Sequence, residues 1–104
     1  MGEQTTVVFV DEELADLIPE FLENRRRDVE TITRLVQEGK HDELMRVGHT
    51  MKGTGGSYGF VEISAIGQGI EEASACGDQK AITTLCERLA AYLAAVTVQV
   101  RQQE

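Results

Sequence analysis

The run His49, Thr50, Met51, Lys52, Gly53, Thr54, Gly55, Gly56, Ser57, Tyr58, Gly59, Phe60 decides how this chain is read. Wound as a helix at roughly 100° per residue, it puts His49, Lys52, Gly53 and Gly56 on one face and Val47, Met51, Thr54 and Tyr58 on the opposite one. The histidine then points away from the core. A phosphate-cradling loop is the other reading, and the order of residues opposes it. Tyr58 stands where the third glycine of G-x-G-x-x-G would fall, Lys52 precedes the glycines instead of following them as in a Walker loop, and no strand leads in. As a helix the run carries a penalty, because each interior glycine costs up to ~1 kcal/mol relative to alanine. Helix stability did not select these neighbours of His49.

Outward from this run, apolar stripes at helical spacing fill the chain. A helix from about His41 to Gly55 buries Leu44, Val47 and Met51, and Tyr58 with Gly59 mark the turn out of it. Before it, Ile18, Phe21, Leu22, Val29, Ile32, Leu35 and Val36 form one stripe, with Pro19 in the first turn and Gly39 as C-cap. After it come Phe60, Ile63, Ile66, Gly67, Ile70 and Ala73, stopping near Gly77. Asp78 is a good N-cap for a last helix bearing Ile82, Leu85, Cys86, Leu89, Leu93, Val96 and Val100 on one side. Asp11 can cap a short helix over Glu12 to Ile18 at the start. The expected fold is all-α: an antiparallel up-down four-helix bundle with a short additional N-terminal helix, the Val7 to Val10 segment covering one end. Only Thr5 to Val10 could pass for a strand, and a lone strand has nothing to pair with.

The 104 residues suffice for one modest core and leave little room for a second lobe. A formal net charge of -8 opposes sequence-independent binding to nucleic acid or to anionic membrane. The basic exceptions are Arg25, Arg26 and Arg27, read as a solvated helix face, and Arg46 with Lys52 flanking His49. Cys76 and Cys86 lie in apolar-patterned segments without a CxxC pairing, and are read as buried free thiols. No metal site is expected. Glu38 precedes His41 by three, but Gly39 breaks the helix between them and no second Glu-x-x-His copy exists. The apolar run near the start is too short to span a bilayer and lacks a signal-like flank, so the default location is cytoplasmic.

A lone histidine on an amphipathic helix is usually structural, yet the projection of His49 away from the buried stripe removes the core explanation. A neutral imidazole offers one nitrogen as nucleophile when the other holds the proton. Attack on a phosphoryl group leaves a phosphoimidazole with new negative charge, and Lys52, one turn on, is placed to offset it. Gly53 and Gly56 let a partner approach the backbone closely, and Met45, one turn before His49, offers that partner an apolar contact.

The pattern His49, two residues, Lys52, Gly53, Thr54, Gly55, three residues, Gly59, Phe60 resembles the signature of histidine phosphotransfer (HPt) domains. The resemblance extends through Leu17, Ile18, Pro19, Phe21 and Leu22 and covers nearly the whole chain, which reads as one HPt domain over 1–104 with its core at about 11–101. It implies that His49 is phosphorylated on the nitrogen remote from the backbone, that Lys52 steadies the phosphoryl group, and that Gly53 clears space for a receiver domain. In chemotaxis-type members a glutamate on the following helix accepts a hydrogen bond from the other ring nitrogen. Glu71 falls at that spacing, with Gln68 one turn earlier as a substitute; a solvated boundary glutamate is the alternative.

The resemblance implies a carrier without an ATP site or cofactor of its own. A response-regulator receiver, holding its own magnesium ion, presents an aspartyl phosphate, and His49 accepts the group and passes it on. Two other readings stay open: the phospho-accepting N-terminal domain of a larger chemotaxis-type histidine kinase, and a helical adaptor that binds without phosphorylation.

Overall fold

The computed structural model describes residues 6–102. The chain runs through strand β1 (Thr6–Asp11), a single 3-10 turn (Ala15–Leu17), four helices and strand β2 (Val96–Arg101). The helices are α1 (Ile18–Glu38), α2 (His41–Ser57), α3 (Val61–Ala75) and α4 (Gln79–Ala95). Each packs against two others in a ring, α1 on α2, α2 on α3, α3 on α4 and α4 on α1. The apolar stripes meet on the axis: Ile32, Leu35, Leu44, Met51, Phe60, Ile63, Ile66, Ile70, Ile82 and Leu89 are all but completely shielded from solvent. None of the described helices is long and apolar enough to cross a membrane.

The connections follow from their residues. Gly39 ends α1 at φ 68°, and its amide donates to the carbonyls of Leu35 and Val36. Gly59 turns between α2 and α3 at φ 85°, a conformation that a β-carbon would strain. That turn delivers Phe60 to the core and stacks an aromatic cluster, with the Phe21 ring centroid 4.8 Å from that of Tyr58 and 5.1 Å from that of Phe60. Asp78 caps α4 by accepting the Ala81 amide at 3.1 Å.

Four expectations are corrected. Of the short helix expected over Glu12 to Ile18 only the 3-10 turn Ala15–Leu17 forms; Asp11 is the last residue of β1, and the chain turns through Glu12–Leu14. The Leu14 amide bonds the Asp11 backbone carbonyl at 2.9 Å, and no side chain caps the 3-10 turn. The last helix stops at Ala95, and Val96–Arg101 pairs in parallel with β1, Thr6 opposite Val96 and Asp11 opposite Arg101. The reason lies in the pattern Val96, Thr97, Val98, Gln99, Val100: β-branched residues alternate, while Val96 and Val100 also satisfy a helical spacing of four. Val8, Val10 and Val98 turn toward the bundle and pack on its core, whereas Val7 and Phe9 face outward. Thr5, at the start of the segment read from sequence, and the ends of the 1–104 domain lie outside the described residues.

Arg25 is the third correction, being 8% exposed instead of part of a solvated face. Its Nε donates to Asp28 Oδ2 at 2.7 Å, its Nη1 donates to Thr54 Oγ1 at 2.9 Å, and its guanidinium lies 5.0 Å above the Phe21 ring centroid. It ties α1 to the middle of the run that carries His49. The fourth concerns the thiols. Both cysteines are free, but only Cys86 is buried; Cys76, at the end of α3, is exposed.

Candidate functional site

Along α2, Leu44 and Met51 are fully buried, and His49 stands on the opposite side with 71% of its side chain exposed. Gly53 is open, with no atom near the place a β-carbon would take, and at Gly56 the nearest is Ser64 Oγ at 3.8 Å. This face is therefore low and unobstructed around the imidazole. Lys52, one turn on, keeps 43% of its side chain exposed.

The neighbouring α3 contributes the acid. Ile63, Ile66 and Ile70 point into the core, and Glu71, next to Ile70, leans over the seam toward α2. One of its oxygens, Oε2, lies 3.0 Å from His49 Nδ1, and the other, Oε1, lies 3.7 Å from Lys52 Nζ. A carboxylate at Nδ1 favours the tautomer in which that nitrogen carries the proton. The lone pair then sits on Nε2, which has no hydrogen-bond partner among the described residues. Glu71 thus orients the ring and holds the amine beside it.

Gln68 does not reach the histidine. Its amide nitrogen donates to Glu72 Oε2 at 3.0 Å along the exposed side of α3, so of the two candidates on this helix only Glu71 joins the site. Met45 and Arg46 lie beside His49, and with Asp42, Thr50 and Glu71 these residues line an open hollow of about 600 Å³. Arg46 makes no ion pair among the described residues. Asp42 and Thr50 were missed from sequence, although both lie within two turns of His49 on the same helix. Ser64 was missed as well; its hydroxyl donates to the Lys52 carbonyl at 2.8 Å, pinning α3 to the turn that carries the lysine.

Chemically, the arrangement presents an imidazole nitrogen to solvent, a carboxylate at its other ring nitrogen, one cation, Lys52, beside that carboxylate, and a second, Arg46, lining the same hollow. It lacks the enclosure of a small-molecule active site.

Comparison with known proteins identifies the family. The family model described as Hpt domain matches residues 16–99, which run from the 3-10 turn into β2. No curated protein and no solved structure matches the chain. The match covers most of the chain and includes all four helices, and the chain belongs to the Hpt family, the phosphocarrier modules that work with receiver domains and kinases in two-component phosphorelays.

Proposed function

We propose that this protein accepts a phosphoryl group on His49 Nε2 from the aspartyl phosphate of a receiver domain and passes it on to the same or another receiver. The observation that carries the reading is the hydrogen bond between His49 Nδ1 and Glu71 on an imidazole otherwise open to solvent. With its proton held at Nδ1, the ring attacks phosphorus in line through Nε2. The nitrogen–phosphorus bond forms as the bond between phosphorus and the aspartate oxygen breaks, and the aspartate leaves as a carboxylate. A magnesium ion held by the receiver would supply the charge that neutralises the transferring oxygens, and under this reading the chain needs no cofactor of its own. Lys52 swings from Glu71 toward the new phosphoryl oxygens, with Arg46 as a second cation. Gly53 and Gly56 leave room for the receiver's active site, and Met45 gives it an apolar contact.

Under this reading the chain is one phosphotransfer domain acting in the cytoplasm, with no nucleic-acid or membrane partner, and its helices form an antiparallel up-down bundle. Pairings such as Arg25 with Thr54, Thr33 with Cys86 and Glu62 with Arg88 support that arrangement. The open face would equally accept a kinase active site, so the phospho-accepting N-terminal domain of a chemotaxis-type kinase is the second reading. Mixing the protein with a radiolabelled phospho-receiver separates the readings. Label should move to the wild type and not to His49→Gln, whereas labelling only by a kinase domain and ATP would favour the second.

A further inference from the structure

Three glycines of the α2–α3 seam have no space for a side chain, and two of them, Gly48 and Gly67, face the backbone of the segments that carry Glu71 and Lys52. A β-carbon on Gly48 would sit 2.6 Å from the Glu71 amide nitrogen and 2.7 Å from the Gly67 carbonyl oxygen. One on Gly67 would sit 2.5 Å from the Lys52 amide nitrogen and 2.7 Å from the Gly48 carbonyl oxygen. Every atom met is backbone, which cannot rotate aside as a side chain can. The third, Gly55, meets the Ser64 amide nitrogen in the same way, nearer the turn. By contrast Gly69, also on α3, faces the flexible end of Leu85 on α4.

We infer that Gly48 and Gly67 are positioning residues: the backbone contact they permit between α2 and α3 sets the distance at which Glu71 meets His49. The residues whose backbones meet there are Gly48, Met51, Lys52, Gly67 and Glu71, so the crossing point includes the backbones of Lys52 and Glu71 and of the residue before His49. Bringing a 2.5 Å contact out to an ordinary 3.4 Å parts the helices by just under an ångström. Applied to the 3.0 Å separation of His49 Nδ1 and Glu71 Oε2, that displacement takes the pair beyond hydrogen-bonding range. The imidazole then loses its preference for the tautomer with the proton on Nδ1. The kinetic consequence rests on the phosphoryl-acceptor reading above; the tautomer does not.

The test uses the full chain, labelled with ¹⁵N, as wild type, Gly67→Ala, Gly69→Ala, Glu71→Ala and the Gly67→Ala/Glu71→Ala double variant. Imidazole ¹⁵N shifts should show the Nδ1–H tautomer dominant in the wild type and in Gly69→Ala, and a mixture in Gly67→Ala that matches Glu71→Ala. Transfer from a phosphorylated receiver should fall about tenfold in Gly67→Ala, and the double variant should be no slower than Glu71→Ala. A folded Gly67→Ala with the wild-type tautomer overturns the inference, as does an additive loss in the double variant. Should Gly67→Ala fail to fold, the wild type decides: strong nuclear Overhauser contacts from the Gly67 α-protons to the Lys52 amide and from those of Gly48 to the Glu71 amide support it, and their absence refutes it. If the tautomer shifts while no variant, nor the wild type, takes label, the positioning role stands and the phosphotransfer reading falls.

Discussion

Replacing Arg25 with methionine keeps the apolar stem and removes the charge, which isolates what the guanidinium does between α1 and α2. Two hydrogen bonds from a charged donor are lost, to Asp28 at 2.7 Å and to Thr54 at 2.9 Å, together with the stacking over Phe21. Thr54 retains its bond to the Thr50 carbonyl, so the main cost falls on Asp28, whose side chain is only 23% exposed. A lost hydrogen bond to a charged group is worth about 1.5–3 kcal/mol, and the cation–π contact adds roughly 0.5–1 kcal/mol. A loss of about 2–4 kcal/mol at neutral pH follows.

The loss should also depend on pH. Burial holds the Asp28 carboxyl above its ordinary range, and Arg25 works against that rise. Without Arg25 it rises further. A carboxyl raised in the folded state binds its proton more tightly there than in the unfolded chain, so its contribution to stability is greatest in acid and declines as pH climbs through the folded value. The gap between variant and wild type should therefore be widest near pH 7 and narrow in acid, where a neutral Asp28 no longer needs a cation. Urea melts of wild type, Arg25→Met and the exposed control Arg26→Met at both pH values measure it. A gap under about 1 kcal/mol at pH 7, or one unchanged by acid, would refute the assignment.

Other outcomes are as definite. Ile70→Ala, at a fully shielded core position, should cost about 2–5 kcal/mol by urea denaturation. Along β1 the two faces should diverge: Val10→Ser, buried, loses more than about 1 kcal/mol, while Phe9→Ser, 54% exposed, stays within roughly 0.5 kcal/mol apart from its contact with Arg101. A thiol reagent at pH 7.5 should modify Cys76 rapidly and Cys86 only slowly in the native protein, because burial raises the Cys86 thiol above its ordinary range and shields it; equal rates would contradict the packing between α1 and α4.

The four long helices were legible because each carries an apolar stripe of unbroken period, and Gly39, Gly59 and Asp78 punctuate them chemically. The exposed face of α2 was legible for the same reason, since a helical projection needs only local spacing. What failed depended on partners remote in sequence. The segment Val96 to Val100 fits a helix by its spacing of four and a strand by its alternation, and the choice is made by β1, at the other end of the chain. Arg25 sits in a run of three arginines that reads as solvated until Thr54, on another helix, appears beside it. Glu71 was expected only through the family resemblance, with Gln68 as its substitute; that Gln68 turns to Glu72 instead was not legible, because one helical turn separates the two candidates. The contact of Gly48 with Gly67 was likewise hidden, as nothing local marks a glycine as the crossing point of two helices.

The parallel ribbon has a consequence for how the molecule comes together. Thr6 can meet Val96 only when nearly the whole chain has been drawn into one loop, and six residues per strand return little for that loss of freedom. The helices, most of whose contacts join neighbours in sequence, can assemble beforehand and carry the two strands to within reach. The pairing of the ends is then the last clasp to fasten and the first to slip, while the seam between α2 and α3 endures beneath the histidine.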